Sequence, residues 1–151
     1  MILFHGSSDA IRELDYSRQD FLYLTDMYAQ AMNFACQSVN GIGTICTINV
    51  QLERPYEIDL DGQSWGGFFL ESADYAKAVE MAADGNEEEL EYFREEGLTV
   101  NYFAEYISTI GYDGLICHNC MEENGDTAMQ VVVVDISKAK MISTEEVTKS
   151  K

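Results

Sequence analysis

Positive charge is what this chain has least of: 9 lysines and arginines stand against 27 aspartates and glutamates, a formal net charge of −18. A surface of that sign repels nucleic-acid backbones and anionic membranes, so neither is expected as a direct partner, whereas a basic protein is. Long apolar runs are missing too. No stretch approaches the length of a membrane-crossing helix, and Met1-Ile2-Leu3-Phe4 is cut short by His5-Gly6, which reads as a first strand and not as an export signal. The cysteines, Cys36, Cys46, Cys117 and Cys120, lack the density of a disulfide scaffold, which predicts reduced thiols and a cytoplasmic protein. Cys117-His118-Asn119-Cys120 holds two or three residues of zinc-ligand type, and Cys36 and Cys46 would complete a site. Their spacing does not suit a ribbon or knuckle and Cys117 ends an apolar stretch, so no metal is expected. No Gly-x-Gly-x-x-Gly occurs, which removes the usual dinucleotide fold from consideration. No repeat, low-complexity tract or linker interrupts residues 1–151, so 151 residues at 46% hydrophobic predict one domain with a substantial core.

What is present centres on residues 129–142. Val131-Val132-Val133-Val134 is an unbroken β-branched run, unlike the alternation of a half-solvated strand, and it predicts an inner strand covered on both faces. A helix is a poorer reading, because valine loses side-chain freedom there. The polar segment 122–127 precedes the run, with Gly125 as its turning point. Gln130 therefore stands at the mouth of a core strand, held rigidly and still able to reach a cleft.

Taken in order, residues 2–4 form a strand that runs into His5-Gly6-Ser7-Ser8, and the serines with Asp9 can cap a short helix over 10–14. Residues 21–25 form a second, aromatic-rich strand. Thr25 or Asp26 then caps a helix reaching about Gln37, with Tyr28, Ala31, Met32 and Ala35 on its inner face. Residues 44–52 make a strand, 55–59 an extended segment, and Asp61-Gly62 a turn. The aromatic loop 63–69 either lines the core or folds over a ligand. A helix follows from Ser72 or Asp74 to Ala83. Asn86 with Glu89 matches a capping box and opens an acidic helix ending near Gly97. Residues 101–110 are amphipathic, with Tyr102, Phe103, Tyr106, Ile107 and Ile110 on one face, and Gly111 terminates them. Residues 112–117 make a further strand.

Three of these segments carry a joint pattern: Leu3-Phe4-His5-Gly6-Ser7, then Leu22-Tyr23-Leu24-Thr25-Asp26-Met27 leading into Asn33-Phe34, then Gln130 opening the valine strand. In that order they resemble the catalytic domain of the ADP-ribosyltransferases of the diphtheria toxin and poly(ADP-ribose) polymerase branch. That branch has a strand ending in His-Gly-Ser, a Tyr-containing strand before a helix, and a closing strand that begins with a catalytic glutamate. Gly111-Tyr112-Asp113-Gly114-Leu115-Ile116 also looks like the small transferases of phages and their bacterial hosts, some of which inhibit bacterial defence systems such as CRISPR. The resemblance covers about a third of the chain. It implies an α+β fold, a split β-sandwich of mostly antiparallel sheets meeting at a cleft, with flanking helices, that binds NAD as substrate. His5 would bond a ribose hydroxyl, and the Gly6 backbone, with Ser7 beside it, would meet the nicotinamide carboxamide. Tyr23 and Phe34 would flank the nicotinamide ring. Gln130 would stand in for the glutamate, keeping a hydrogen bond and losing the charge, which implies single transfer rather than polymer elongation. Glu122, Glu123 or Asp126 could supply the missing carboxylate, and Ala31 falls where some relatives place a serine on the carboxamide.

Two function classes follow. One is a mono-ADP-ribosyltransferase acting on a basic protein acceptor. The other is a non-catalytic acidic inhibitor on the same scaffold, mimicking nucleic acid or blocking a basic protein.

Overall fold

The valine run decides where the sheet is centred. The computed structural model describes residues 1–7, 21–36, 42–63, 73–121 and 125–148. Among them, β1 (Ile2–Ser7), β2 (Leu22–Thr25), α1 (Tyr28–Ala35), β3 (Ile42–Val50) and β4 (Pro55–Asp59) are followed by α2 (Ala73–Ala83), α3 (Glu87–Glu96), α4 (Val100–Thr109), β5 (Gly114–Met121), β6 (Thr127–Val133) and β7 (Ala139–Thr148). The fold class is α+β. Val131 and Val133 pack with Leu3, Leu22, Leu24, Ile48 and Val50, while Val132 packs with Leu115 and with Phe103 and Ile107 of α4. Both faces of β6 are thus covered. Burying three valines in this way contributes about 1.5–3 kcal/mol each.

The seven strands form one hydrogen-bonded sheet, in the order β4-β5-β6-β2-β1-β3-β7. This differs from the expected pair of separate sheets, and the reason lies in β2. That strand has only four residues and pairs along its whole length with β6, from Leu22–Val133 to Thr25–Gln130. Its other edge meets β1 at a single register position, Phe4–Thr25, whereas β1 pairs with β3 from Ile2–Asn49 to Ser7–Thr44. Two half-sheets therefore join at a narrow waist. All neighbours are antiparallel except β4 and β5, which run parallel.

Helix α1 starts later than expected. Neither Thr25 nor Asp26 caps it; Met27 occupies the N-cap position without a side-chain hydrogen bond. Both expected caps hold other hydrogen bonds. Thr25 Oγ1 accepts the Met27 N–H at 3.1 Å, and Asp26 Oδ1 accepts the Met129 N–H at 2.9 Å, tying the start of α1 to β6. The buried face of α1 is Gln30, Ala31 and Ala35, not Tyr28, which is partly exposed and donates to Glu145 of β7 at 2.7 Å. That carboxylate acceptor raises the Tyr28 phenol above its ordinary range.

Asn86 caps α3 as expected, accepting from Glu88 and Glu89, but the capping box is half made. The Asn86 N–H donates instead to the Ala83 carbonyl. Three glutamates in the first turn sit favourably at the positive end of the helix dipole. On α4, Phe103, Ala104, Tyr106 and Ile107 are buried while Tyr102 and Ile110 are partly exposed, so the inner stripe is narrower than expected. Beyond it, the Asp113 carboxylate accepts the Glu53 and Arg54 N–H groups, and its carbonyl accepts those of Val134 and Asp135, stapling three connections together. The expected strand over 44–52 spans Ile42–Val50. The helix over 10–14, most of the aromatic loop, Ser8, Asp9, Gln37, Ser72, Glu122 and Glu123 lie outside the described residues.

No helix of the described residues is long and apolar enough to cross a membrane. Cys117 and Cys120 are buried in the core beneath α4, while His118 between them bonds Glu57 Oε1 at 3.1 Å. Asn119 enters the left-handed region at φ 54°, in the irregularity of β5 that returns both sulfurs to the same side. Among the described residues, no three His, Cys, Asp or Glu side chains are grouped to hold a metal ion.

Candidate functional site

A cavity of about 300 Å³ opens at the waist where β1, β2 and β6 meet beneath α1, lined by Phe4, His5, Gly6, Tyr23, Leu24, Thr25, Gln30, Phe34, Gln130, Val131 and Val132. Strand register builds its floor. Thr25 lies opposite both Phe4 and Gln130, and Tyr23 lies opposite Val132. Opposed residues of antiparallel strands share a face, so Phe4, Thr25 and Gln130 form one row across three strands. Helix α1 supplies the wall, with Gln30 and Phe34 one turn apart on the same side.

The positions singled out from sequence converge here. His5, Gly6, Tyr23, Phe34 and Gln130, spread over 126 residues of chain, all line this one cavity. Ser7 does not. It ends β1 opposite Thr44. Asp126 is exposed and lies outside the lining as well.

His5 Nδ1 lies 2.8 Å from the Tyr23 carbonyl oxygen. A carbonyl only accepts, so Nδ1 carries the proton, which makes Nε2 the accepting nitrogen of the neutral ring. The same contact ties β1 to β2 at the waist, where backbone pairing is sparse. Tyr23 and Phe34 are 40% and 43% exposed, so two aromatic side chains present apolar surface at the mouth of a cavity. The Tyr23 hydroxyl donates to Asn101 Oδ1 at 2.8 Å, which anchors the ring from α4. Gln130 sits on β6 between Thr25 of β2 and Cys117 of β5, held on both sides by the ladder and steadied further by the Asp26–Met129 clip.

Gly6 has a packing role that sequence did not reveal. A Cβ at this position would lie 1.9 Å from the Ala31 carbonyl oxygen, and one at Gly43 would lie 1.9 Å from that of Ala35. Glycine at both positions lets α1 lie directly on β1 and β3. The close approach at Gly6 is of helix to strand.

Not named as site residues from sequence are Phe4, Leu24, Thr25, Val131, Val132 and above all Gln30. Gln30 is 3% exposed, and its Oε1 has no hydrogen-bond partner among the described residues. A buried acceptor left in that condition costs about 1–3 kcal/mol. Its signal was a lone polar residue on a stripe of alanines, one turn before Phe34. No carboxylate and no lysine or arginine lines the cavity among the described residues, so it is neutral, largely apolar and carries a few placed polar groups.

No protein-family model matches this chain, and no curated protein matches it either.

Proposed function

We propose that the chain is an NAD-dependent mono-ADP-ribosyltransferase that modifies a basic protein. The observation that carries this reading is the convergence of His5, Gly6, Tyr23, Phe34 and Gln130 on one cavity. A volume near 300 Å³ suits one aromatic ring and its sugar, the reacting end of a dinucleotide, with the remainder lying outside. Tyr23 and Phe34 offer the nicotinamide flat apolar surface. His5 Nε2, an acceptor once Nδ1 is engaged, takes a ribose hydroxyl proton in a hydrogen bond.

In the reaction, the bond between C1′ of the ribose and the ring nitrogen breaks, and neutral nicotinamide leaves with the bonding electron pair. The acceptor nucleophile bonds to C1′ and gives up its proton to water. Gln130 meets the ribose by hydrogen bonding alone, so the developing positive charge receives a dipole where a carboxylate would place a full charge, and turnover is slow. The overall charge of −18 favours a basic acceptor and raises its encounter rate. A phage-borne inhibitor of a bacterial defence system fits that description.

Two observations favour the second reading, a non-catalytic acidic interaction protein. Gly6 is required by packing whether or not a ligand binds, and the cavity lining includes no carboxylate among the described residues. Nicotinamide release from NAD separates the two, because only the transferase produces it.

A further inference from the structure

The geometry points to Gln30 as the residue that selects the ligand, by accepting a hydrogen bond from a primary carboxamide on an aromatic ring. This rests on the cavity being the ligand site, and it names a group on the ligand that the nicotinamide of NAD carries. Gln30 is 3% exposed, lines the cavity, and holds an acceptor, Oε1, with no partner among the described residues. Buried acceptors are almost always satisfied in folded proteins, so one left open beside a cavity marks the place of a donor that arrives with the ligand. The other polar atoms nearby are committed differently: Thr25 Oγ1 accepts the Met27 N–H, and His5 Nδ1 donates to the Tyr23 carbonyl.

Position fixes which part of the ligand Gln30 meets. It lies four residues before Phe34 on α1, so the two side chains are neighbours on one helix face. A ring packed on Phe34 presents a substituent to Gln30. The packing of Gly6 on the Ala31 carbonyl keeps α1 pressed against β1 and holds that acceptor at a constant depth. A primary carboxamide supplies the N–H that Oε1 requires. A carboxylate of the same shape supplies only acceptors, setting oxygen against oxygen at the buried Gln30 Oε1. The cavity therefore discriminates nicotinamide-type from nicotinate-type rings, and hence NAD from its deamidated counterpart.

The test is calorimetric titration of the full chain with NAD, with nicotinic acid adenine dinucleotide and with benzamide, a minimal ring carboxamide. Wild-type protein and Gln30→Met are compared, with thermal melts recorded on both. Wild type should bind NAD at least about tenfold more tightly than the deamidated form, and Gln30→Met should lose about tenfold for NAD and for benzamide while narrowing that preference. Because methionine removes an unsatisfied buried acceptor at similar volume, the ligand-free variant should melt no lower than wild type, which a merely structural role for Gln30 would not give. Equal wild-type affinity for NAD and its deamidated form overturns the assignment without any variant. Unchanged NAD binding in Gln30→Met overturns it while leaving the NAD reading intact. Benzamide binding that depends on Gln30, without NAD binding, supports the carboxamide assignment and removes the dinucleotide. Binding of none of the three overturns both.

Discussion

Replacing Gly6 with alanine tests whether the cavity wall is held where the structure places it. The added Cβ would lie 1.9 Å from the Ala31 carbonyl oxygen, 2.7 Å from its carbonyl carbon and 3.0 Å from its Cα. These are backbone atoms, so no rotamer change relieves the clash, and α1 must recede by about 1 Å or more to restore ordinary contact. Recession opens the small core formed by Ala31, Ala35, Ile45 and Val147. Overpacking alone costs about 1–3 kcal/mol, and loosened contacts along the helix add to it, so about 3 kcal/mol is expected. For a chain of this size that lowers the melting temperature by roughly 6–12 °C. Thermal melts followed by circular dichroism, with urea unfolding to check that the slope is unchanged, would measure it. A Gly6→Ala variant that melts within about 2 °C of wild type would refute the reasoning. If that variant also lost NAD binding, Gly6 would serve the ligand alone.

The remaining predictions concern the site and the thiols. His5→Ala should weaken NAD binding about tenfold by removing one hydrogen-bond acceptor, and Tyr23→Ala somewhat less by removing one stacking surface; titration calorimetry reads both. Gln130→Ala should lower turnover roughly a hundredfold with little change in affinity, whereas Gln130→Glu should raise NAD hydrolysis about tenfold or more, and a fall in the glutamate variant would mean the pocket is not aligned for charge stabilisation. Burial pushes the Cys117 thiol from its ordinary 9.0 up to about 12, with neighbouring Cys120 contributing. At neutral pH a thiol reagent should therefore label half-buried Cys36 well before Cys117. The unfolded chain releases the Cys117 proton more readily than the folded one, so its contribution to stability is intact below about pH 9 and is lost as pH rises towards 12. Alkaline melts that stay flat across this window would contradict its burial.

Sequence revealed most where local chemistry and tertiary context agree. The valine run predicted an inner strand because four β-branched residues suit no half-exposed surface, and three of them are buried on β6. Asn86 and Gly97 marked the ends of α3 because capping is a local property. The start of α1 was misread for the opposite reason. Thr25 and Asp26 are good caps in isolation, but the register that brings β6 beside β2 takes Asp26 to the Met129 N–H, and Thr25 Oγ1 is held by the Met27 N–H two residues on. The single sheet, pinched at Phe4–Thr25, was hidden because the length of β2 and its choice of β6 are long-range facts. Gly6 also meets the Ala31 carbonyl, a contact no sequence pattern announces. Gln30 was overlooked because one glutamine among alanines looks like a solvated position until the helix is rotated about its axis. The convergence of five residues on one cavity was foreshadowed by the motif order, and register supplies the geometry.

Incubation of the full chain with NAD labelled in both halves, alone and with a bacterial lysate, bears most directly on the central proposal. Nicotinamide release and intact-protein mass would be followed together. Release at a slow rate, with ADP-ribose added in single units to a basic protein, is the expected result. Absence of release, with NAD also failing to raise the melting temperature, would contradict it.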